Sequence, residues 1–523
     1  MNLLSDPLLN IHAVTGGSRS VALPELLVAL ANDEVVDFPR LRPHQAAAWH
    51  VLLVQLATLA LLAAGKERCD SADGWRTLLR ALTPGFDRDE PWCLVVDDWT
   101  RPAFLQPPCA RESERADFKR EYPSADALDV LMTSKNHDQK AERMIAATAE
   151  EWLFALVTLQ TTEGFLGVGN YGIARMNGGF ASRPVMRCSA ASLGVGGQVF
   201  RDVNVLLAGM DGIQKTARSL GIGQVTPVHT LLWLLPWNGV DSLGLDHLHP
   251  LAIEVCRRVR LVGSEPLLVA RSASSKVARV SAKDAKGVLG DPWIPVDLKE
   301  IKAFTVTHEG FSYRRMVALL DDTQYERPLL AKPSPAERAS GTSLVIHAAA
   351  LARGQGKTEG LQSRRIELPP RATASFAQDN QAFTKRSTAF VEFAAAASGK
   401  ALRPALIQLV QGKEDPDWKK PSNASLVDPW TLRFDACVDR DFYAVLSQTF
   451  EQELSDKDAE AVWSQHLAAS ARHVFDMAAN AAPRGDQRRV LAVARAENML
   501  HNAIRKQLPA LRAPKEETTD VPD

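Results

Sequence analysis

The chain has 523 residues. At about 150 residues per domain, this length predicts roughly two to four domains. Hydrophobic residues make up 46% and charged residues 24%, as in ordinary globular proteins, which excludes a mostly disordered or fibrous chain. The 61 Lys and Arg residues balance 62 Asp and Glu residues, so the net charge is −1. A free-standing nucleic-acid binder usually carries a basic excess, so contact with nucleic acid would require local patches or a larger assembly.

The six cysteines are widely spaced, and none lies within four residues of another. This pattern contains no zinc-finger spacing and predicts reduced thiols in a cytosolic protein. No charged region followed by an apolar region opens the chain, so we expect no secretory signal. The apolar stretch Ala46–Gly65 is almost long enough to span a bilayer, but it contains His50 and Gln55. We interpret it as a buried helix and expect no membrane contact.

Helical and strand patterns alternate over residues 1–370, which predicts a large mixed α/β domain. In chain order we expect short strands and turns over residues 1–40, a helix over Ala46–Gly65, a helix over Ala146–Gln160, a glycine-rich loop zone over Gly164–Gly197, an exposed basic hairpin over Arg271–Lys286, and strands over Phe304–His308 and Met316–Leu320.

The composition changes after Pro370, where the chain becomes Ala-rich with helical periodicity. Four amphipathic segments, beginning near Asn380, Asp439, Ala459 and Asp486, predict a four-helix bundle over residues 371–511. We expect a long loop over Gly412–Asp428 between the first two helices. Residues 512–523 have no apolar period and are predicted to be disordered. The expected fold class is therefore α+β, a mixed α/β domain followed by a helical bundle.

The glycine-rich zone contains GVGNYG at Gly167–Gly172, which matches the GxGxxG pattern. A dinucleotide site needs a strand before this motif, a helix after it and an acidic residue about 20 residues later. An amphipathic helix precedes the motif here, and the following stretch is broken by further glycines. The pattern therefore favours main chain that is accessible to a bulky partner over a nicotinamide or flavin site.

The sequence GQGKT at Gly354–Thr358 is similar to the end of a P-loop. The complete motif requires glycine five positions before the GK glycine, where this chain has Leu351. Two interpretations stay open from the residues alone. The segment is either a polar turn between a buried stretch and a strand, or an anion-facing loop with Gln355 at its tip.

No convincing catalytic site emerges from the remaining motifs. The densest histidine cluster, Asp246–His249, lacks a third metal ligand at helical spacing, and Asn136–Asp138 has no metal carboxylates nearby in sequence. There is no GxSxG elbow and no recognised cysteine nucleophile. The basic segment Arg271–Lys286 predicts either a phosphate-facing patch or a solvated edge strand.

Several motifs in order along the chain resemble those of the CasA family, the large subunit of the type I-E CRISPR surveillance complex Cascade. They are MNLLSDP, VLMTSKNHD, GFLGVGNYGIARMNGGFASRP, LGDPWIPV, RGQGKTEG and LAVARAENMLHNAIRKQL. The resemblance implies a mixed N-terminal domain, a C-terminal four-helix bundle and no enzymatic activity or cofactor. It also implies a cytoplasmic protein that recognises the protospacer-adjacent motif (PAM) of duplex DNA, starts R-loop formation and helps to recruit a helicase–nuclease. The implied partners are the other Cascade subunits, guide crRNA, double-stranded target DNA and that helicase–nuclease.

The resemblance also assigns individual residues. The family's glycine loop, which enters the minor groove, falls on Gly164–Tyr171, and its wedge glutamine falls on Gln355. Lys286 is the first candidate for the PAM-contacting lysine and Lys283 the second. The expected DNA-binding residues are Gly164, Gly167, Gly169, Asn170, Tyr171, Lys283, Lys286, Gln355 and Lys357. The polar loop with Lys135, Asn136 and His137 is expected to contact the guide RNA.

One feature departs from the family pattern. Some members hold zinc with two CxxC pairs, and this chain has neither pair, so we expect no metal. Two functions from other classes remain as alternatives. One is a nucleotide-dependent enzyme that uses GVGNYG or GQGKT, and the other is a metal nuclease built on the scattered histidines.

Overall fold

The structure is a computed structural model that describes residues 1–129, 147–162, 168–171, 183–354, 357–378, 380–481 and 487–511. The chain forms two compact units. The N-terminal unit contains Met1–Phe311 and Asp322–Ile366, and the C-terminal unit contains Ser312–Asp321 and the chain from Glu367 onward. The chain therefore passes between the two units three times.

The helices are α1 (Leu23–Ala31), α2 (Ala46–Ala63), α3 (Ala72–Ala81), α4 (Ala125–Leu128), α5 (Ala149–Thr162), α6 (Val195–Ala208), α7 (Met210–Ser219), α8 (Tyr313–Leu320), α9 (Pro335–Ser340), α10 (Pro370–Gln378), α11 (Asn380–Ala396), α12 (Arg403–Gln411), α13 (Ser422–Glu451), α14 (Asp456–Ala481) and α15 (Gln487–Gln507). The strands are β1 (Leu9–Ala13), β2 (Ser18–Val21), β3 (Val35–Asp37), β4 (Arg120–Tyr122), β5 (Val185–Ala190), β6 (His229–Leu231), β7 (Leu243–Gly244), β8 (Leu248–Ile253), β9 (Arg258–Val262), β10 (Val269–Ala273), β11 (Val280–Ser281), β12 (Val296–Asp297), β13 (Lys302–Ala303), β14 (Tyr325–Glu326), β15 (Leu344–Gly354) and β16 (Lys357–Leu368).

Helix α2 lies at the centre of the N-terminal unit and packs against α3, α5, α6 and β8. Its apolar residues surround the whole helix, and most of them are buried. By length and composition α2 could cross a membrane, but 72% of it is buried inside the unit. The prediction of a buried helix is confirmed. Each large apolar side chain that leaves water contributes roughly 1.5–3 kcal/mol to the stability of this core.

Within its described residues, the N-terminal unit has six small sheets, with the strand orders β2-β1-β3, β4-β10-β9, β11-β7, β13-β12-β14, β16-β15-β5 and β6-β8. In the β16-β15-β5 sheet, β15 runs antiparallel to β5, and Leu344 pairs with Ala190 while Ala349 pairs with Val185. Because the two strands run in opposite directions, the start of β5 and the end of β15 lie at the same end of this sheet. In the sequence, residues 355–356 stand between β15 and its sheet neighbour β16.

The predicted basic hairpin over Arg271–Lys286 is wrong. Strand β10 pairs with β4 and β9, whereas β11 pairs with β7 in parallel. The cations of this segment also separate, since Arg279 is buried and donates to the carbonyls of Leu235 and Pro236 at 3.0 and 3.1 Å. Partners distant in sequence thus decided the pairing, which the local alternation of residues could not reveal.

The C-terminal unit consists of helices in its described part. Its core is aromatic, with Phe390 stacked on Trp463 at 5.0 Å between ring centroids and Phe442 edge-on to Trp463 at 5.5 Å. The Trp463 Nε1 donates to the carbonyl of Phe390 at 2.8 Å, so the buried indole is satisfied. The expected α+β fold, with a helical C-terminal region, is confirmed.

Two predicted strands and one predicted loop are wrong. Residues Phe304–His308 contain no strand, and Met316–Leu320 belongs to helix α8, which packs against α11 and α13. A short apolar run fits a strand or a buried helix equally well, and here packing in the C-terminal unit decided. The loop after Gly412 ends sooner than predicted, because α13 already begins at Ser422. Residues 512–523, predicted to be disordered, lie outside the described residues.

Candidate nucleic-acid interface

Four residues of the glycine-rich zone, Val168–Tyr171, are described, and they form a turn. Gly169 has a φ of +87°, and its carbonyl accepts a hydrogen bond from the amide of Ser275 at 3.1 Å. A Cβ added at Gly169 would lie 3.2 Å from the Cβ of Ser274. Both the backbone conformation and this close approach require glycine at the position.

The other end of this turn is held by a buried arginine. The Nη1 of Arg257 donates to the carbonyl of Tyr171 at 2.6 Å. The amides of Arg257 and Cys256 both donate to the Oε1 of Gln160 in helix α5, at 2.8 and 3.0 Å. The turn is thus fixed to the core of the N-terminal unit, while Val168 beside it is 91% exposed.

Lys276 is an exposed cation next in sequence to Ser275, whose amide donates to this turn. It follows Ser275, and its own amide donates to the carbonyl of Gly239 at 2.6 Å. Lys283 and Lys286 are also exposed, but they lie beyond β11, and the carbonyl of Lys286 accepts from the amide of Ala303 at 3.0 Å. Sequence reasoning included Lys276 in the basic segment but did not select it, because no local pattern reveals that Ser275 contacts Gly169.

The two ends of the segment 163–182 are joined. The amide of Arg183 donates to the carbonyl of Thr162, the last residue of α5, at 3.1 Å. Arg183 also forms a buried ion pair with Asp291 at 2.6 Å, with side-chain exposures of 2% and 1%. Its guanidinium lies 5.0 Å from the ring centroid of Trp293. Asp291 and Trp293 belong to the GDPW sequence, which therefore anchors the glycine-rich segment.

The two ends of the segment 130–146 are anchored on residues 40–45, just before α2. The carboxylate of Asp129 accepts hydrogen bonds from the Nε2 of His44 at 2.8 Å and from Gln45 at 2.7 Å. At the other end, the Nη1 of Arg40 donates to the hydroxyl of Thr148 at 2.9 Å. Asp129 is fully buried beside the N-terminus of α2, where the helix dipole favours a negative charge.

The bases of three predicted nucleic-acid segments meet at one place. His44, Thr162, Arg183 and Leu351 line the same small cavity. Thr162 and Arg183 flank the segment 163–182, Leu351 lies on β15 four residues before Gln355, and His44 binds Asp129 at the start of the segment 130–146. We name these five residues the loop-base cluster: His44, Asp129, Thr162, Arg183 and Leu351.

Several residues assigned by the resemblance lie outside the described part of the chain. They are Lys135, Asn136, His137, Gly164, Gly167 and Gln355. Lys357 is the first residue of β16, but its side chain is not among those described. Of the assigned residues, Gly169, Asn170, Tyr171, Lys283 and Lys286 are described, and their assignment stays a prediction.

The surroundings of both glycine motifs differ from those of nucleotide-binding loops. The last described element before GVGNYG is helix α5, where a dinucleotide fold has a strand. GQGKT joins the end of β15 to the start of β16, its neighbour in the same sheet, whereas a P-loop leads from a strand into a helix. Among the described residues, no group of three or more His, Cys, Asp and Glu side chains is arranged to hold a metal ion.

A second polar cluster, partly buried, lies between this sheet and helix α2. Arg187 and His347 are paired directly across β5 and β15, and the Nε2 of His50 lies 2.8 Å from Asp202. Burial lowers the pKa of His347 to about 3, and the nearby Arg187 contributes to this shift. Burial also lowers the pKa of His50. Burial alone would raise the pKa of Asp202, but the hydrogen bond from His50 and the nearby arginines bring it below its usual value.

Comparison with solved structures gives matches over nearly the whole chain. The CasA of Thermus thermophilus superposes with a TM-score of 0.66 over 97% of this chain and 99% of that chain, at 14% sequence identity. The chain has the fold of CasA. The Cse1 of Thermobifida fusca gives a TM-score of 0.63 at 13% identity, covering 98% of both chains.

A chain from a CRISPR RNA-guided surveillance complex gives a TM-score of 0.57 at 15% identity, covering 96% of this chain and 99% of that chain. No protein-family model and no curated protein matches the sequence. The resemblance drawn from the motifs is therefore confirmed for the fold.

Proposed function

We propose that this chain is the large, non-catalytic subunit of a type I-E CRISPR Cascade complex in the cytoplasm. In this role it recognises the PAM of duplex DNA through the minor groove, starts strand separation and helps to recruit a helicase–nuclease. Its partners are the other Cascade subunits, crRNA and target DNA. The observation that carries the proposal is the CasA fold over nearly the whole chain, together with the convergence of three loop bases at one site.

The turn at Gly169 supports minor-groove contact. The minor groove presents the acceptors A N3 and T O2 and is only about 6 Å wide. Main-chain amides and small side chains can approach these acceptors, and a turn that requires glycine keeps bulk away from them. Asn170, which is partly exposed, supplies a side-chain amide as a further donor.

Lys276 is the cation that we assign to the phosphate backbone beside this turn. Ser275 binds the carbonyl of Gly169, so Lys276 begins one residue away from the proposed groove-facing turn. Lys286 and Lys283 remain candidates for PAM contact, and each of the three lysines is tested by its own alanine variant. Loss of one phosphate contact weakens binding about equally for all DNA sequences and lowers the salt slope by about one.

Gln355 is assigned as the wedge that splits the first base pair, since it lies between two long strands that supply a rigid base. Unstacking one base step costs on the order of a few kcal/mol. Guide pairing then continues the reaction, because the heteroduplex is about as stable as the DNA duplex that it replaces.

The test is reconstitution of the complex with and without this chain, followed by binding to duplexes with and without a PAM. We expect discrimination between the duplexes to disappear when the chain is omitted. In the complete complex, Lys276→Ala is expected to weaken duplex capture, and Gln355→Ala to slow strand opening more than capture. Unchanged discrimination without the chain would contradict the proposal.

A matched control is Lys66→Ala. Lys66 is also exposed, but it follows the C-terminal end of α2, whereas the loop-base cluster lies at the N-terminal end. An 18-residue helix separates the two ends by about 27 Å. Lys66→Ala is therefore expected to leave DNA capture and its salt dependence unchanged.

A further inference from the structure

The His44–Asp129 pair is a buried polar contact of the N-terminal unit. Both side chains are buried, with exposures of 5% and 0%, and the Nε2 of His44 lies 2.8 Å from both carboxylate oxygens of Asp129. Gln45 donates a further hydrogen bond to the same carboxylate at 2.7 Å. A buried carboxylate is costly unless its acceptors are filled, so this geometry fixes the position of Asp129 tightly.

The contacts around this pair extend to the bases of the other two segments. His44 lines a cavity together with Thr162, Arg183 and Leu351. Thr162 and Arg183 are themselves joined by a main-chain hydrogen bond of 3.1 Å. A shift of the His44 ring would therefore change the wall of the cavity that Thr162, Arg183 and Leu351 also line.

A second histidine–aspartate contact, made by His50 of helix α2, lies elsewhere in the N-terminal unit. The Nε2 of His50 lies 2.8 Å from Asp202, with exposures of 12% and 0%. Asp202 also pairs with Arg201, which in turn pairs with Glu337. This second pair joins α2 to α6 and does not touch the cavity of the loop-base cluster. The two pairs are thus alike in chemistry and differ in position.

We infer that the His44–Asp129 pair is a positioning element that couples the base of the segment 130–146 to the bases of the segments 163–182 and 355–356. The inference rests on the proposed function in one respect, since it predicts that contact with guide RNA and contact with the PAM depend on each other through this pair. His44 is not proposed to contact nucleic acid itself. It acts only through the residues that flank these three segments.

The first test uses the full chain alone and measures hydrogen–deuterium exchange. His44→Gln is expected to speed exchange in peptides that contain the described bases, including the hydrogen-bonded amides of Asp129 and Arg183. His50→Gln, the matched control, is expected to speed exchange around α6 and to leave those peptides unchanged. Equal effects of the two substitutions on the base peptides would overturn the inference.

The second test uses the reconstituted complex and measures the ratio of affinities for duplexes with and without a PAM. His44→Gln is expected to lower this ratio about tenfold, as for the loss of one hydrogen bond to a charged group. His50→Gln is expected to leave the ratio unchanged even where it lowers the melting temperature. Asp129→Asn keeps one acceptor oxygen and is expected to lower the ratio less than His44→Gln does.

The two tests separate the inference from the function on which it rests. If the wild-type complex shows no PAM discrimination, the proposed function fails, and the exchange measurement still decides whether His44 couples the bases. If His44→Gln does not fold, Gln45→Ala removes one donor to Asp129, together with the acceptor of the Arg42 amide, and is expected to give the same pattern more weakly. A ratio that stays unchanged in a folded His44→Gln complex would overturn the inference.

Discussion

The ion pair between Arg183 and Asp291 offers a direct test of how the glycine-rich segment is held. The two groups lie 2.6 Å apart with side-chain exposures of 2% and 1%, and Trp293 lies against the guanidinium. Removal of one partner leaves an uncompensated buried charge. Asp291→Asn is therefore expected to lower the free energy of unfolding by about 3–5 kcal/mol.

The double variant Arg183→Met/Asp291→Asn supplies the decisive comparison. Replacement of both partners removes the unpaired charge, so the double variant is expected to be more stable than Asp291→Asn alone. Urea unfolding followed by tryptophan fluorescence measures four proteins: the wild type, the single variants Arg183→Met and Asp291→Asn, and the double variant. Simple addition of the two single effects in the double variant would refute the reasoning, because it would mean that the two charges do not depend on each other.

A surface pair of the same chemistry serves as the control. Arg68 and Asp70 form an ion pair with side-chain exposures of 82% and 68%. Exposed pairs contribute little because water and salt screen them. Asp70→Asn is therefore expected to leave the unfolding transition unchanged. In the reconstituted complex, PAM discrimination is expected to fall with Asp291→Asn and to stay unchanged with Asp70→Asn.

Three further predictions concern other parts of the molecule. His347→Gln is expected to flatten the pH dependence of stability, with wild type losing about 2 kcal/mol more than the variant between pH 7.5 and 5.0. Gly169→Ala, which forces a Cβ against Ser274 at a φ of +87°, is expected to weaken PAM binding with little change in melting temperature. Trp463→Ala removes the ring that stacks on Phe390 and is expected to destabilise the C-terminal unit by about 3–5 kcal/mol in urea unfolding.

The sign of the His347 effect follows from proton binding. The unfolded chain binds a proton at this histidine below about pH 6.5. The folded chain binds it only below about pH 3. Acid therefore favours the unfolded state in that window by about 1.4 kcal/mol per pH unit. The other titrating groups contribute equally to both proteins, so their effect cancels in the difference between wild type and His347→Gln. An identical pH dependence of the two proteins would contradict the low pKa of His347.

The other two predictions can also be contradicted, and Gly169→Ala has a matched control. Gly65→Ala also places alanine at a positive φ, +60°, but nothing lies within 4 Å of the added Cβ, so PAM binding should not change. If Gly169→Ala binds PAM duplexes as tightly as wild type, the turn is not in the groove. A loss of less than about 1 kcal/mol on Trp463→Ala would contradict a tightly packed aromatic core.

The sequence by itself determined the features that depend on composition and helical periodicity. The buried helix α2, the helix α5 and the long helices α14 and α15 of the C-terminal unit follow from apolar patterns that extend over many turns. The order of weak motifs pointed to the CasA fold, which the structural comparison confirmed. Such long patterns carry enough repeated signal to specify an element without knowledge of its partners.

Only the tertiary structure decided which strands pair and which loops share a base. Met316–Leu320 was apolar enough for a strand, and packing against α11 and α13 made it part of a helix. Arg279 is buried, and the amide of Ser275 donates to the carbonyl of Gly169, a residue far from it in sequence. Contacts such as His44 with Asp129, 85 residues apart, leave no periodic trace in the sequence, since they depend on geometry that exists only after folding.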